Sequence, residues 1–156
     1  MGYETSTKAM TVAIRDKIKK LIEDDADLAM YLKKVYKGTP KSIPNYPAVL
    51  LDWERATPEQ AIQGKTGIRR KCEMNIIAME YYLKYDERQD RLLETTGKIE
   101  KLIVNNRYLD GLRASDGSWK VLDVQLAGTE YEALVKPKTF VLDSSEIKII
   151  ISTEGI

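Results

Sequence analysis

Few side chains in this chain could act as acid, base or nucleophile. Its 156 residues contain no histidine and one cysteine, Cys72. Histidine is the usual general base near neutral pH, the commonest metal ligand and the partner that activates a serine or cysteine nucleophile. Without it, and with one thiol, an ordinary zinc site is excluded as well. The chemistry that remains belongs to carboxylates. Two acidic groups stand out: Glu23, Asp24 and Asp25, then Asp86, Glu87 and Asp90. Both fall where helices are expected to end or begin, and solvated helix ends explain them better than a metal site does. Gly64, Lys65, Thr66 and Gly67 resemble part of a phosphate-binding loop. The full spacing is missing, because no glycine lies five residues before Gly64 and no helix is expected to follow. Cys72 falls in the middle of an expected strand, where a small buried apolar residue is the first reading.

Two further clusters suit binding rather than reaction. Arg69, Arg70 and Lys71 form a short basic run. It reads either as a solvated strand end or as an electrostatic contact with an acidic neighbour. Tyr81, Tyr82 and Tyr85 read either as core or as interface residues, since aromatic side chains are enriched where proteins meet.

Both clusters belong to one stretch, Ile68 to Lys84. It reads as a single strand of about 15 residues, well above the usual length of roughly 5–6. Side chains alternate along a strand, so Cys72, Met74 and Ile76 share one face and Lys71, Glu73 and Asn75 the other. After Ile76 the apolar set moves to Ile77, Met79, Tyr81 and Leu83. A shift of one residue predicts a β-bulge or a sharp twist.

The elements that must position this strand follow from periodicity. Met1 to Lys8 is polar and expected to be flexible. From Thr11, Val12, Ile14, Ile18, Leu21 and Ile22 recur at helical spacing. A second helix over Ala26 to Tyr36 would align Leu28, Leu32 and Val35, the alternative being an extended Tyr31 to Tyr36. Gly38, Pro40 and Pro44 then break regular structure. Tyr46 to Arg55 reads as a strand with Val49, Leu51 and Trp53 on one face and Ala48 and Leu50 on the other. An extended loop, residues 56–67, links it to the long strand in an antiparallel hairpin. Tyr85 to Arg107 reads as a helix, with Asp86 and Gln89 as its capping box. Leu92, Leu93, Thr96, Ile99, Leu102 and Ile103 make its apolar stripe, and Gly97 suggests close packing on the sheet. The last third reads as β: Trp119 to Leu126, a break at Gly128, Glu130 to Val135, Phe140 to Leu142, a turn at Asp143 to Ser145, and Glu146 to Thr153.

The predicted architecture is a single α+β domain over residues 1–156. An antiparallel or mixed sheet carries two main helices on one face, in the order α-β-β-α-β-β with room for one more strand and a long β-hairpin arm. Hydrophobic residues make up 43% and charged residues 31%, ordinary values for a globular chain able to build its own core. Lys and Arg number 25 against 24 Asp and Glu. The +1 net charge gives no basic excess, so no sequence-specific nucleic acid is expected as a partner. No leader pattern and no apolar run long enough for a membrane span are read, which leads to the expectation of a protein made and assembled in the cytoplasm, with no membrane partner.

The order of elements resembles a known family. It comprises the amphipathic first helix, Tyr46-Pro47-Ala48 continuing through VLLDWER, the long strand RRKCEMNIIAMEYY, the helix ERQDRLLETTGKIEKLI, and a β-rich end with WKVLDVQLAGTEYE and EIKIIIST. Together, over Thr11 to Thr153, they resemble the tail terminator proteins of long-tailed phages, also called tail completion or tail-to-head joining proteins. The resemblance implies a virion structural protein, not an enzyme, with no cofactor, metal or catalytic residue. It implies a homohexameric ring that ends tail-tube polymerisation, touching the tail tube protein on one face and a head connector or neck protein on the other. Gln60, Lys65, Arg69, Arg70, Tyr81 and Tyr82 are the expected subunit or tube contacts. Two other readings compete. One is another neck or minor tail protein, or a small intracellular dimeric binding module. The other is an enzyme working with carboxylates alone.

Overall fold

The computed structural model describes residues 3–38, 46–58, 68–82, 85–136 and 140–155. The chain begins with helix α1, Tyr3–Asp24, and a short helix α2, Ala26–Tyr31. Strands β1, Lys34–Lys37, β2, Ala48–Pro58, and β3, Ile68–Tyr82, follow. Helix α3, Tyr85–Asn105, leads to the long strands β4, Trp119–Lys136, and β5, Phe140–Gly155. The five strands form one mixed sheet in the order β1-β2-β3-β5-β4, with β1 parallel to β2 and every other pair antiparallel. This is the expected α+β class, with helices packed against the sheet.

The long strand β3 occupies the middle of the sheet. It pairs with β2 from Met79 to Arg70 and with β5 from Ile68 to Tyr82. Its burial alternates without interruption: Arg70, Cys72, Met74, Ile76, Ala78 and Glu80 all face inward. The expected bulge after Ile76 is therefore absent from β3. Ile77 and Met79 are apolar residues on the opposite face, half-buried and in normal alternation. The register shift lies instead in the neighbour β2, between Trp53 and Arg55. Two apolar faces on one strand look like a slip when only one chain is read.

One face of the sheet carries the core. Val49 and Leu51 of β2, Cys72, Met74 and Ile76 of β3, and Ile147, Ile149 and Ile151 of β5 pack beneath the helices. Helix α1 contributes Met10, Ile14, Ile18 and Ile22, and α3 contributes Leu92, Ile99 and Ile103, each set at four- or seven-residue steps that keep it on one stripe. Trp53 is half-buried against this core and donates its indole N–H to the carbonyl of Thr11 at 3.2 Å, fixing β2 to α1.

Several expectations are corrected. Helix α1 starts at Tyr3, so the helix reaches back into the segment read as flexible. The helix expected over Ala26 to Tyr36 stops at Tyr31. Asp25 caps its start, accepting the Leu28 N–H at 3.0 Å, and the chain is extended by Leu32. The alternating Lys34, Val35, Tyr36 then pairs with Ala48 to Leu50, burying Val35 in the core. Gly97 does not pack on the sheet: it is exposed, with open space where a Cβ would sit. Neither Gly128 nor Asp143 to Ser145 interrupts the last strands. Gly128 takes φ +144° beside a bulge, and Asp143 and Ser145 lie inside β5, paired to β3 and β4.

Candidate assembly surface

Of the expected contact residues, the two described pairs lie at opposite ends of β3. Gln60, Lys65 and the Gly64 to Gly67 segment lie outside the described residues, as do Pro40, Pro44 and Leu83. Of Tyr81 and Tyr82 only the backbone is described; it is the far end of β3, opposite Leu142 and Val141 of β5. Arg69 and Arg70 lie at the near end of the same strand, opposite Glu154 and Thr153. At ~3.3 Å per residue the two ends are roughly 35–40 Å apart. The basic run is itself divided. Arg69 and Lys71 are exposed on the face away from the helices, whereas Arg70 turns inward and is 8% exposed. Alternation makes this unavoidable for three consecutive strand residues.

Cys72 sits in the same inward row, fully buried opposite Ile151. Burial pushes its thiol above the ordinary value, which disfavours the reactive thiolate. Among the described residues no group of three or more His, Cys, Asp and Glu could hold a metal, and no helix is long and apolar enough to cross a membrane.

A polar cluster that sequence reasoning missed closes the far end of the core. Glu80 of β3 and Asp143 of β5 face each other directly across the ladder, 2% and 3% exposed. The Tyr31 hydroxyl of α2 donates to Glu80 Oε1. One step further in, Thr96 of α3 and Ser145 of β5 share a hydrogen bond at 2.7 Å, and Thr96 also donates to the Leu92 carbonyl at 2.6 Å. A buried carboxylate is tolerated only with hydrogen-bonding partners. The cluster therefore fixes α2 and α3 against the sheet with directional bonds where the isoleucines run out. Above it, between α2 and α3, lies a cavity of about 420 Å³ lined by Asp27, Leu28, Tyr31, Arg91, Glu94, Thr95 and Lys98. Unbroken alternation from Cys72 would have placed Glu80 inside; the assumed slip after Ile76 hid it.

The sheet has two unlike edges. At the β4 edge, the chain between α3 and β4 covers only the start of the strand. Val121 N–H reaches the Leu112 carbonyl at 2.9 Å, Val124 N–H reaches the Arg107 carbonyl at 2.8 Å, and Arg113 bridges to Lys120. Arg107 adds a two-pronged ion pair to Asp123, at 2.6 and 3.1 Å, which holds the Asp123 carboxyl below the usual carboxylate range. Leu109, in the left-handed region at φ 48°, is buried against the core and anchors this cover. Beyond Val124 none of these contacts continues. Gln125 to Gly128 and Glu130 to Glu132 are exposed, including the apolar Leu126 and the Tyr131 ring, 48% exposed. Leu126, Thr129 and Tyr131 lie on the helix side, opposite Ile149, Ile147 and Ser145. Helix α3 packs beside β4 as it does beside β3 and β5, and its Glu100 accepts from the Thr129 hydroxyl at 3.2 Å. Glu130 and Glu132 point to the other face, where Glu130 stands directly opposite Glu146. Like charges in that position repel.

The β1 edge is four residues long and basic, with Lys33, Lys34 and Lys37 all exposed. Lys37 pairs with Asp16 of α1 at 2.7 Å, and Lys34 lies 5.0 Å from the centre of the Tyr36 ring.

An exposed long edge strand is a template on which another chain can pair. The fold resembles a chain in the virion of a native gene transfer agent (GTA) particle. The TM-score is 0.62 at 15% identity, covering 93% of this chain and 97% of that one. The likeness is one of fold, and it takes in nearly all of both chains. No protein-family model and no curated protein matches the chain.

Proposed function

We propose that this chain is a structural subunit of a virion, acting as the ring that caps the tail tube, ends its polymerisation and joins the tail to the head connector. The observation that carries the reading is the fold likeness to a chain of a virion particle, which leaves little of either chain unmatched. The order of elements that resembles tail terminator proteins supports the finer assignment. The open edge of β4 and the split basic run at the near end of β3 supply surfaces for it. In this reading the work is done by fit between copies and against unlike neighbours, with the tail tube protein on one side and the connector on the other. Arg69 and Lys71, exposed on the sheet face away from the helices, are placed to meet an acidic neighbour.

The test is electron microscopy of particles assembled without this protein. Overlong tails detached from heads are the expected result. Normal, joined particles would overturn the capping role, and tails of normal length that fail only to join would place the chain elsewhere in the neck.

A further inference from the structure

We infer that copies of this chain join head to tail through their sheets, with the exposed part of β4 in one copy receiving β1 of the next. The inference deepens the ring reading above by naming the two edges that meet.

Three observations carry it. The first is unfinished cover. Leu126 and Tyr131 lie on the helix side of the sheet, where α3 packs against β3, β5 and β4 alike, yet both side chains are exposed. A strand added beside β4 would cover that row and pair the backbone left uncovered after Val124. The second is charge. On the other face the same stretch presents Glu130 and Glu132, with Glu146 directly opposite Glu130. Among the described residues no cation pairs with any of the three. At the opposite edge of the same sheet, β1 presents Lys34 on that same face, since Val35 points into the core. With β1 of the next copy antiparallel to β4, faces are preserved from one copy to the next, and Lys34 comes beside Glu130 or Glu132.

The third is exclusion of the symmetric choices. Antiparallel pairing of β4 with β4 about Tyr131 would set Glu130 of each copy against Glu132 of the other, and pairing β1 with β1 would bring two lysine-rich edges together. Like charges opposed across a ladder are destabilising, and opposite charges there are favourable. The unlike pairing is the one the charges favour. It joins two different surfaces, so it propagates, and it ends only where a ring closes.

Cysteine cross-linking tests this on the full chain. Under mild oxidation, K34C mixed with E132C or with E130C is expected to give disulfide-linked dimers. Each variant alone is expected to link no more than the wild type, whose Cys72 is buried. A chain carrying K34C and E132C together is expected to give a ladder of linked species. Linking of E132C or E130C alone would overturn the inference in favour of a symmetric β4 contact. A ring mass in light scattering with no linking in any mixture would overturn the edge pairing and leave the ring intact. A strict monomer at every concentration would remove both. As a second measurement, E130K with E132K is expected to weaken association at least tenfold, and adding K34E to that chain is expected to restore it. These positions are exposed, so thermal melts should stay close to wild type. Unchanged association in the reversed chain would also count against the pairing.

Discussion

The middle of the sheet and the exposed edge of β4 are built on opposite plans. Across the middle, Val49, Leu51, Met74, Ile76, Ile147, Ile149 and Ile151 pack under two helices, and alternation runs through them with full burial. At the edge the helix-side row continues, shifted by one at the bulge, as Leu126, Thr129 and Tyr131; α3 packs beside it, yet Leu126 and Tyr131 stay exposed. The middle is complete within one chain. The edge has the pattern of a core row but leaves Leu126 and Tyr131 exposed. The difference teaches where stability ends and association begins: residues of the first kind should matter to folding, residues of the second to assembly.

Mutation of the middle should give the largest effect. Ile149→Ala removes a buried side chain from the centre of β5 and should cost about 2–5 kcal/mol in urea unfolding. A loss below 1 kcal/mol would mean that the centre is not the structural core. Tyr31→Phe tests the polar end of the same row. It removes the hydroxyl donated to the buried Glu80, and a loss of about 1–3 kcal/mol is expected. Tyr131→Ser, at the edge, should change unfolding of the single chain by no more than about 0.5 kcal/mol, as exposed positions usually do. It should reduce self-association instead. A large loss of stability there would erase the distinction between the two regions.

The smallest effect expected is a dependence on pH. Arg107 lowers the carboxyl pKa of Asp123 in the folded chain, so the stabilisation is fully present above the unfolded value of about 3.9 and is lost as pH falls through the folded one. Asp123→Asn should flatten the acid limb of the stability profile between about pH 5 and pH 2. Identical acid limbs in the two proteins would show that the pair does not hold the covered part of the edge.

How far the sequence reveals this arrangement depends on the element. The helical stripe Ile14, Ile18, Ile22 and the row Cys72, Met74, Ile76 were legible, because one periodicity dominates each and one partner layer satisfies it. The class and the long central hairpin followed from them. Strand β1 was harder. Leu28, Leu32 and Val35 fit a helical stripe, and only pairing with β2 decides that the chain turns extended after Tyr31. Gly128 and the Asp143 to Ser145 segment have local turn character, which long ladders with β3 and β5 override. Of the expected contacts, Arg69 and Arg70 are neighbours in sequence but face opposite ways. The β4 edge was barely legible, because which strand ends a sheet is a property of strand order; its one mark on the strand is Glu130 and Glu132 flanking Tyr131.

Size-exclusion chromatography with light scattering, on the purified chain alone and mixed with tail tube protein, tests the central claim most directly. The account predicts a closed multiple of one chain, six in the terminator reading, and tubes that stop growing once it is added. A monomer at all concentrations that leaves tube length uncontrolled would contradict it.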